Sequence, residues 1–285
     1  MLKDLLNFIP KIPIAEGTEK FTKLLTDKLS FLFNPVKKYF GEFMSLVSDL
    51  LAGIPPVIVI ILIALIAFFI SGKRLGLAAF AVFGLWLIDN QGLWSQFIDT
   101  FTLVLIASLL SVIIGVPLGI LMAKSKTAET IITPILDFMQ TMPAFVYLIP
   151  AVAFFGIGMV PGVFASLIFA TPPTVRFTNL GIRQVSDELV EASEAFGSTG
   201  AQKLFKVELP MAKATIMAGI NQTVMLALSM VVIASMIGAK GLGVEVLRAL
   251  QGADVGTGFV SGLAIVILAI IIDRFTQSAN VKKEK

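Results

Sequence analysis

Apolar residues along this chain gather into runs, and the runs set the expected elements. "IPPVIVIILIALIAFFI" (54–70) is uninterrupted, and "LGLAAFAVFGLWLI" (75–88) follows after a short Ser71-Gly72-Lys73-Arg74 turn. "TFTLVLIASLLSVIIGVPLGILMA" (100–123) is a third. A fourth runs from about Met142 to Ile157, and a fifth from about Val160 to Leu180, broken by Pro172 and Pro173. The sixth covers about Ile216 to Ile237 and the last about Phe259 to Ile272. A bilayer core of about 30 Å takes about 20 helical residues. The pattern therefore predicts an all-α polytopic membrane protein with about seven transmembrane helices between residues 54 and 274.

Residues 1–53 are patterned differently. Phe21, Leu24, Leu25, Leu29 and Leu32 recur at helical spacing, with Lys20, Lys23, Thr26 and Asp27 on other faces. Phe40, Phe43, Met44, Val47, Leu50 and Leu51 repeat the pattern beyond Pro35. Two readings stand: amphipathic helices lying in the membrane interface, or helices packed on the protein itself. "MLKDLLNFIPKIP" lacks the apolar core and small-residue cleavage site of a signal peptide, so the run at Ile54 is expected to be a retained span.

Composition agrees and excludes several chemistries. The 285 residues are 56% hydrophobic and 14% charged, against about 45–50% and about 25% in soluble domains. Cys and His are both absent, which removes thiolate nucleophiles, imidazole bases, disulfides and the usual zinc ligands. No catalytic or metal-ligating set is expected. A net charge of +3, scattered along the chain, gives no footprint for nucleic acid.

Orientation follows from Lys and Arg near the span ends. Lys73 and Arg74, Lys124 and Lys126, Arg183, Lys203, Lys206 and Lys213, and the tail "VKKEK" all fall on one side across seven spans, whereas the 89–99 loop carries Asp89 and Asp99 and no basic residue. The N-terminus and the 89–99 loop are thus expected outside, and the basic tail 275–285 in the cytoplasm. The chain then divides into an extracytoplasmic or interfacial tail (1–53), a permease domain (54–274) and the cytoplasmic tail.

Between the fifth and sixth runs lies "EASEAFGSTGAQKLFKVELP" (191–210), part of a polar loop spanning 186–210. Ser186 can cap a helix with Asp187, Glu188, Glu191 and Glu194 early, while Lys203 and Lys206 come late, an order that complements the helix dipole. Leu189, Ala192, Phe196, Leu204 and Val207 form a narrow apolar stripe, interrupted at Gly197 to Gly200. Two short helices meeting at a glycine bend are expected, ended by Pro210.

These intervals resemble the EAA loop of the membrane subunits of ATP-binding-cassette importers: Glu-Ala-Ala, three residues, Gly, nine residues, Ile, one residue, Leu-Pro. Here Glu191-Ala192-Ser193 is followed by Gly197, Val207 and Leu209-Pro210 at those spacings, with Ser193 for Ala and Val207 for Ile as departures. The resemblance implies a coupling helix that docks in a groove of a cytoplasmic ATPase, with Glu191, Ala192 and Gly197 at the contact and Phe196 as an apolar knob. An ordinary solvated loop is the competing reading. No G-x-x-x-x-G-K-[ST] and no G-x-S-x-G occurs, so the chain is not expected to be an enzyme. ATP and Mg would be used by the partner ATPase, and no cofactor is expected on this chain.

"LDFMQTMPAFVYLIPAVAFFGIGMVPG" (136–162) and "IGAKGLGVEVLRALQGADVGTGFVSGLAIVILAIIIDR" (237–274) look like the permease subunits of glycine betaine/proline importers, a resemblance extending over about residues 75 to 274. It implies the type I ABC importer permease fold and a plasma-membrane osmoprotection system for glycine betaine, proline betaine, carnitine, choline or proline. It also implies a homodimer with two ATPase subunits and an extracellular substrate-binding protein, and no nucleic acid. Gln140, Thr141, Met142, Phe145 and Tyr147 surround Pro143, where a helix is expected to break or bend, and Asn221 enters the sixth run. Aromatic faces attract quaternary ammonium, so this set lines either the translocation path or a helix–helix contact. Arg176 is either functional or reaches to the interface. Gly115, Pro117 and Gly119 mark either hinges or close packing. Rival classes are an importer of the same architecture for an amino acid or other small solute, an ion-coupled secondary transporter, for which Asp137 is the one acid well inside the middle region, and a non-transporting membrane assembly protein.

Overall fold

The computed structural model describes residues 13–72 and 75–281. Residues 1–12, the Lys73-Arg74 pair and the last four residues of the basic tail lie outside the described residues. Among the described residues every regular element is helical.

The N-terminal segment comprises α1 (Ile14–Lys28), α2 (Ser30–Pro35), a π-helical turn (Val36–Phe40) and α3 (Gly41–Ala52). Then come α4 (Pro56–Ile70), α5 (Leu75–Asn90) and α6 (Trp94–Lys124). Beyond them lie α7 (Lys126–Thr141), a 3-10 turn (Ala144–Tyr147), α8 (Leu148–Phe155) and α9 (Met159–Arg183). The polar loop holds α10 (Asp187–Ala195) and α11 (Gly200–Lys203), and the chain closes with α12 (Leu209–Ser235), α13 (Leu242–Gly252) and α14 (Val255–Val281).

Among the described residues three helical stretches are long and apolar enough to cross a membrane: α6, Gly200–Ser235 and Val255–Gln277. Counting two bent pairs as single spans raises this to five: Ser30–Ala52 with Pro56–Ile70, bent by 92°, and Lys126–Thr141 with Ala144–Phe155, bent by 110°. The second bend corrects the expected fourth span, 142–157. Met142 leaves the helix with extended backbone (φ −70°, ψ 133°), because the residue before a proline is pushed out of the α region.

The fifth run also differs from expectation. Pro172 and Pro173 do not break α9, which continues to Arg183 and buries both prolines. It is the interior helix, with Ser166, Thr171, Thr174 and Thr178 all buried, and a polar interior helix dilutes the hydropathy that a span search relies on.

The backbones of α6, α9 and α12 come close together, and this settles how the third run's glycines are used. A Cβ at Gly119 would lie 2.5 Å from Thr178 Cβ and 2.6 Å from the Val175 carbonyl oxygen, and one at Gly115 would lie 2.8 Å from Thr174 Cγ2. On α12, a Cβ at Gly219 would lie 2.5 Å from Phe177 Cβ. These positions serve close packing, and Pro117 sits within a continuous α6. Across the α9–α12 contact the hydroxyls of Thr174 and Thr223, both buried, hydrogen-bond at 2.7 Å.

Part of the N-terminal segment packs on the protein. Phe33 stacks on Phe154 at 4.7 Å, Phe40 meets Phe164 at 5.5 Å, and the Ser48 hydroxyl donates to Asp99 at 2.6 Å. Met44 on α3 is buried, whereas α1 buries no residue.

Candidate functional site

The 186–210 loop is built from two local motifs whose residues were all on view in the sequence. α10 ends in a Schellman arrangement: the Ser198 N–H donates to the Ser193 carbonyl at 3.1 Å and the Gly197 N–H to the Glu194 carbonyl at 2.8 Å. That turn needs a left-handed residue, and Gly197 supplies it at φ +77°. The next helix starts at once with a capping box. Gln202 N–H donates to Thr199 Oγ1 at 3.3 Å, and Thr199 N–H donates to Gln202 Oε1 at 2.9 Å. Gly-Ser-Thr-Gly is thus a C-cap run directly into an N-cap.

Two expectations for this loop are corrected. Ser186 occupies the N-cap position with extended backbone but makes no side-chain cap bond; its carbonyl accepts from the Leu189 and Val190 N–H groups at 3.1 and 3.3 Å. Pro210 does not end the arrangement. Gly200 to Ser235 is one helical path, with a π-helical turn at Leu204–Glu208 immediately before Leu209-Pro210. A proline cannot donate to the carbonyl four residues back, and the wider turn accommodates the missing bond without stopping the helix.

Ion pairs hold the loop in place. Lys203 donates to Glu194 across the bend. This partner holds the Glu194 carboxyl below its ordinary range and raises the Lys203 ammonium above its own. Glu208, 4% exposed, accepts from Lys124 at the end of α6. Beside it Arg183, at the end of α9, donates to Glu129 on α7 at 2.7 Å and to the Met122 carbonyl at 3.0 Å. The loop is therefore fastened to the end of α6 through Glu208, and Arg183, just before the loop, ties the end of α9 to α6 and α7.

The apolar stripe expected along the loop is not a buried seam. Glu191, Ala192 and Leu189 are exposed, Ser193, Leu204, Val207 and Leu209 are half-buried, and Pro210 is exposed. Phe196 is 92% exposed. Phe196 is thus an aromatic side chain held outward at the tip of a capped bend.

The second candidate set divides. Gln140, Thr141 and Phe145 are exposed around the α7 break, and Met142 is half-buried. Tyr147 is buried, donates its hydroxyl to the Met139 carbonyl, and meets Phe169 edge-on at 5.9 Å. Asn221 donates to Asp273 at 2.8 Å and accepts from Thr276, linking α12 to α14. Tyr147 and Asn221 thus make internal contacts, while Gln140, Thr141 and Phe145 face outward. Lys124, Glu129, Asn179 and Glu208 carry the anchoring network and had no signal beyond their charge or polarity; 84 residues separate Lys124 from Glu208.

Comparison with known proteins bears on this geometry. Residues 115–280 match the family model described as "Binding-protein-dependent transport system inner membrane component". The chain is 59% identical over 276 residues, covering 96% of it and 98% of the relative, to a glycine betaine/carnitine transport permease protein of Listeria monocytogenes. It is 50% identical over 276 residues, covering 97% of each, to a glycine betaine transport system permease protein of Bacillus subtilis. Among solved structures it resembles an inward-facing MetNI methionine ABC transporter, with a TM-score of 0.57 and 21% identity over 69% of this chain and 94% of that one.

Proposed function

Because the chain belongs to the family of binding-protein-dependent transport system inner membrane components, we propose that it is the transmembrane subunit of an ATP-driven importer for a compatible solute of the glycine betaine and carnitine kind. The substrate class is taken from relatives aligned along nearly their whole length. ATP hydrolysis belongs to a separate subunit, and this chain supplies the passage and the surface that receives the motion. The remaining features go with this reading: about seven spans in the type I arrangement, an outside N-terminus, a cytoplasmic C-terminus, a homodimer around a central passage, and an extracellular protein that delivers solute.

The observation that supports the coupling role is the shape of the 186–210 loop. Its bend is held by a Schellman turn, a capping box and the Lys203–Glu194 pair, and its tip presents Phe196 outward. A loop rigid in itself, pinned to α6 through Lys124 and continuous with α9, which Arg183 bridges to α7, passes a push on its tip to those helices. In the cycle, closure of two cytoplasmic ATPases draws the loops of both copies together and reorients the spans. Hydrolysis resets them.

The test is reconstitution of the chain with its ATPase and binding protein, reading ATP-dependent uptake of labelled glycine betaine against carnitine, choline, proline and a neutral amino acid. Uptake that needs all three components and is blocked by the quaternary amines is the expected result. Phe196→Ala should weaken ATPase binding by about ten- to a hundredfold, as loss of a central aromatic anchor does, and leave the melting temperature of the isolated chain unchanged. An ATPase that binds wild type and Phe196→Ala equally well would remove Phe196 from the interface.

A further inference from the structure

One ion pair stands apart from those at the loop end. Arg176 of α9 donates to Asp137 of α7. Seven residues of α9 separate Arg176 from Arg183, and eight of α7 separate Asp137 from Glu129. At about 1.5 Å per residue, the pair lies about 10–12 Å further along both helices than the Arg183–Glu129 bridge. In the membrane subunit proposed above, with the Arg183–Glu129 bridge taken as the cytoplasmic end of both helices, that depth falls within a hydrocarbon core about 30 Å thick.

The pair is not hidden in the protein at that depth. Its side chains are 36% and 58% exposed. An ion pair turned toward lipid is expensive, so charged groups within a span face the bundle interior or a water-filled cavity. Arg176 Nε is itself buried without a hydrogen-bond partner, so the nitrogens open to a solute are those at the end of the guanidinium. Gln140 and Thr141, three and four residues beyond Asp137, share its side of α7 and are exposed as well. Charge, depth and exposure together distinguish this face from that of α4, where the outward residues are aliphatic or aromatic.

We propose that this face of α7 and α9 lines the aqueous passage, and that Arg176 and Asp137 form a station for a zwitterionic solute. The guanidinium takes the solute carboxylate while Asp137 faces its quaternary ammonium. This rests on the importer reading, and it names the groups in the passage that match that solute. As each partner exchanges its internal ion for the solute's opposite end, the net charge of the site does not change. Contact of this kind is favourable enough to admit the solute and weak enough to release it.

The chain has no cysteine, so a single introduced thiol reports on one place. In the reconstituted complex, Thr141→Cys is treated with a cationic trimethylammonium-ethyl methanethiosulfonate or an anionic sulfonatoethyl methanethiosulfonate, and modification of this chain is followed by mass. Both reagents should react. Adding Arg176→Gln should shift the rate ratio at least tenfold toward the cation, and adding Asp137→Asn instead should shift it toward the anion. Arg176→Lys should keep the original ratio. With Thr141 intact, Arg176→Gln should lower betaine uptake at least tenfold, and Arg176→Lys should lower it less. A Thr141→Cys chain inert to both reagents would place this face against lipid or a second copy and overturn the proposal. So would an unmoved rate ratio in both charge variants, or betaine uptake by Arg176→Gln within twofold of wild type. If the unsubstituted complex moves no betaine, the importer reading fails, and the thiol rates still report whether this face is wet.

Discussion

Helices α6, α9 and α12 meet backbone to backbone, whereas α4 and α5 leave many of their long side chains outside. In the first group Gly115, Gly119 and Gly219 sit where a methyl group would collide, and Thr174 and Thr223 bond across the contact. In the second, Ile58, Ile61, Leu62, Leu65 and Phe69 are exposed on α4, and Phe83 and Trp86 on α5. An apolar groove of about 590 Å³ remains beside them, lined by residues that include Val57, Ile61, Phe68, Val82 and Trp86. The difference teaches what holds helices together in hydrocarbon. Lipid tails are as apolar as leucine, so large aliphatic side chains gain little by meeting each other, and close packing with occasional hydrogen bonds decides the interface.

Substitutions can sharpen or break this contrast. Gly119→Leu should do the most damage: its Cβ would lie 2.6 Å from the Val175 carbonyl oxygen, and backbone cannot swing aside as a side chain can. A loss of about 3 kcal/mol or more is expected from overpacking, read as collapse of the monodisperse peak in detergent. Glu208→Gln comes next. It leaves Lys124 without its carboxylate, but Lys124 is 37% exposed and keeps access to water. The cost should be about 1–2 kcal/mol, together with a larger fall in transport per ATP hydrolysed than in ATP hydrolysis. Equal falls in both would show that the Lys124–Glu208 pair only stabilises.

Thr174→Val should cost about 0.6 kcal/mol, the average for a hydrogen bond between spans, measured by thermal unfolding in detergent. Leu62→Ala on α4 should cost less than about 0.5 kcal/mol, as surface changes do. A Leu62→Ala loss as large as that of Gly119→Leu would mean that the α4 face is covered in the native assembly, and the contrast between the two groups would fail.

What was legible in the chain is what local rules encode. Gly197, Ser198, Thr199 and Gln202 are turn and cap residues, so the bend of the 186–210 loop could be read from adjacent letters, and it forms where expected. The apolar runs give the positions of α4, α5, α6, α12 and α14 to within several residues at most ends. Pro143 bends the chain as expected, whereas Pro172 with Pro173 and Pro210 do not break their helices, because a proline's effect depends on the neighbouring turn. Pro143 follows an extended Met142 at a sharp bend, Pro210 follows a π-helical turn that carries the helix onward, and Pro172 with Pro173 sits inside a helix enclosed by neighbours.

By itself, then, the sequence determined that the chain is helical and made for a membrane, and that its one long polar loop bends at Gly197 to Gly200. Each of these follows from composition or from residues within about ten positions of one another. Only the tertiary structure decided which charges meet. Lys124 finds Glu208 across 84 residues, Arg183 finds Glu129 across 54, and Arg176 finds Asp137 across 39. Such pairs arise when the packing of α6, α7, α9 and α12 brings distant positions to the same place, and no local pattern of charge specifies that meeting.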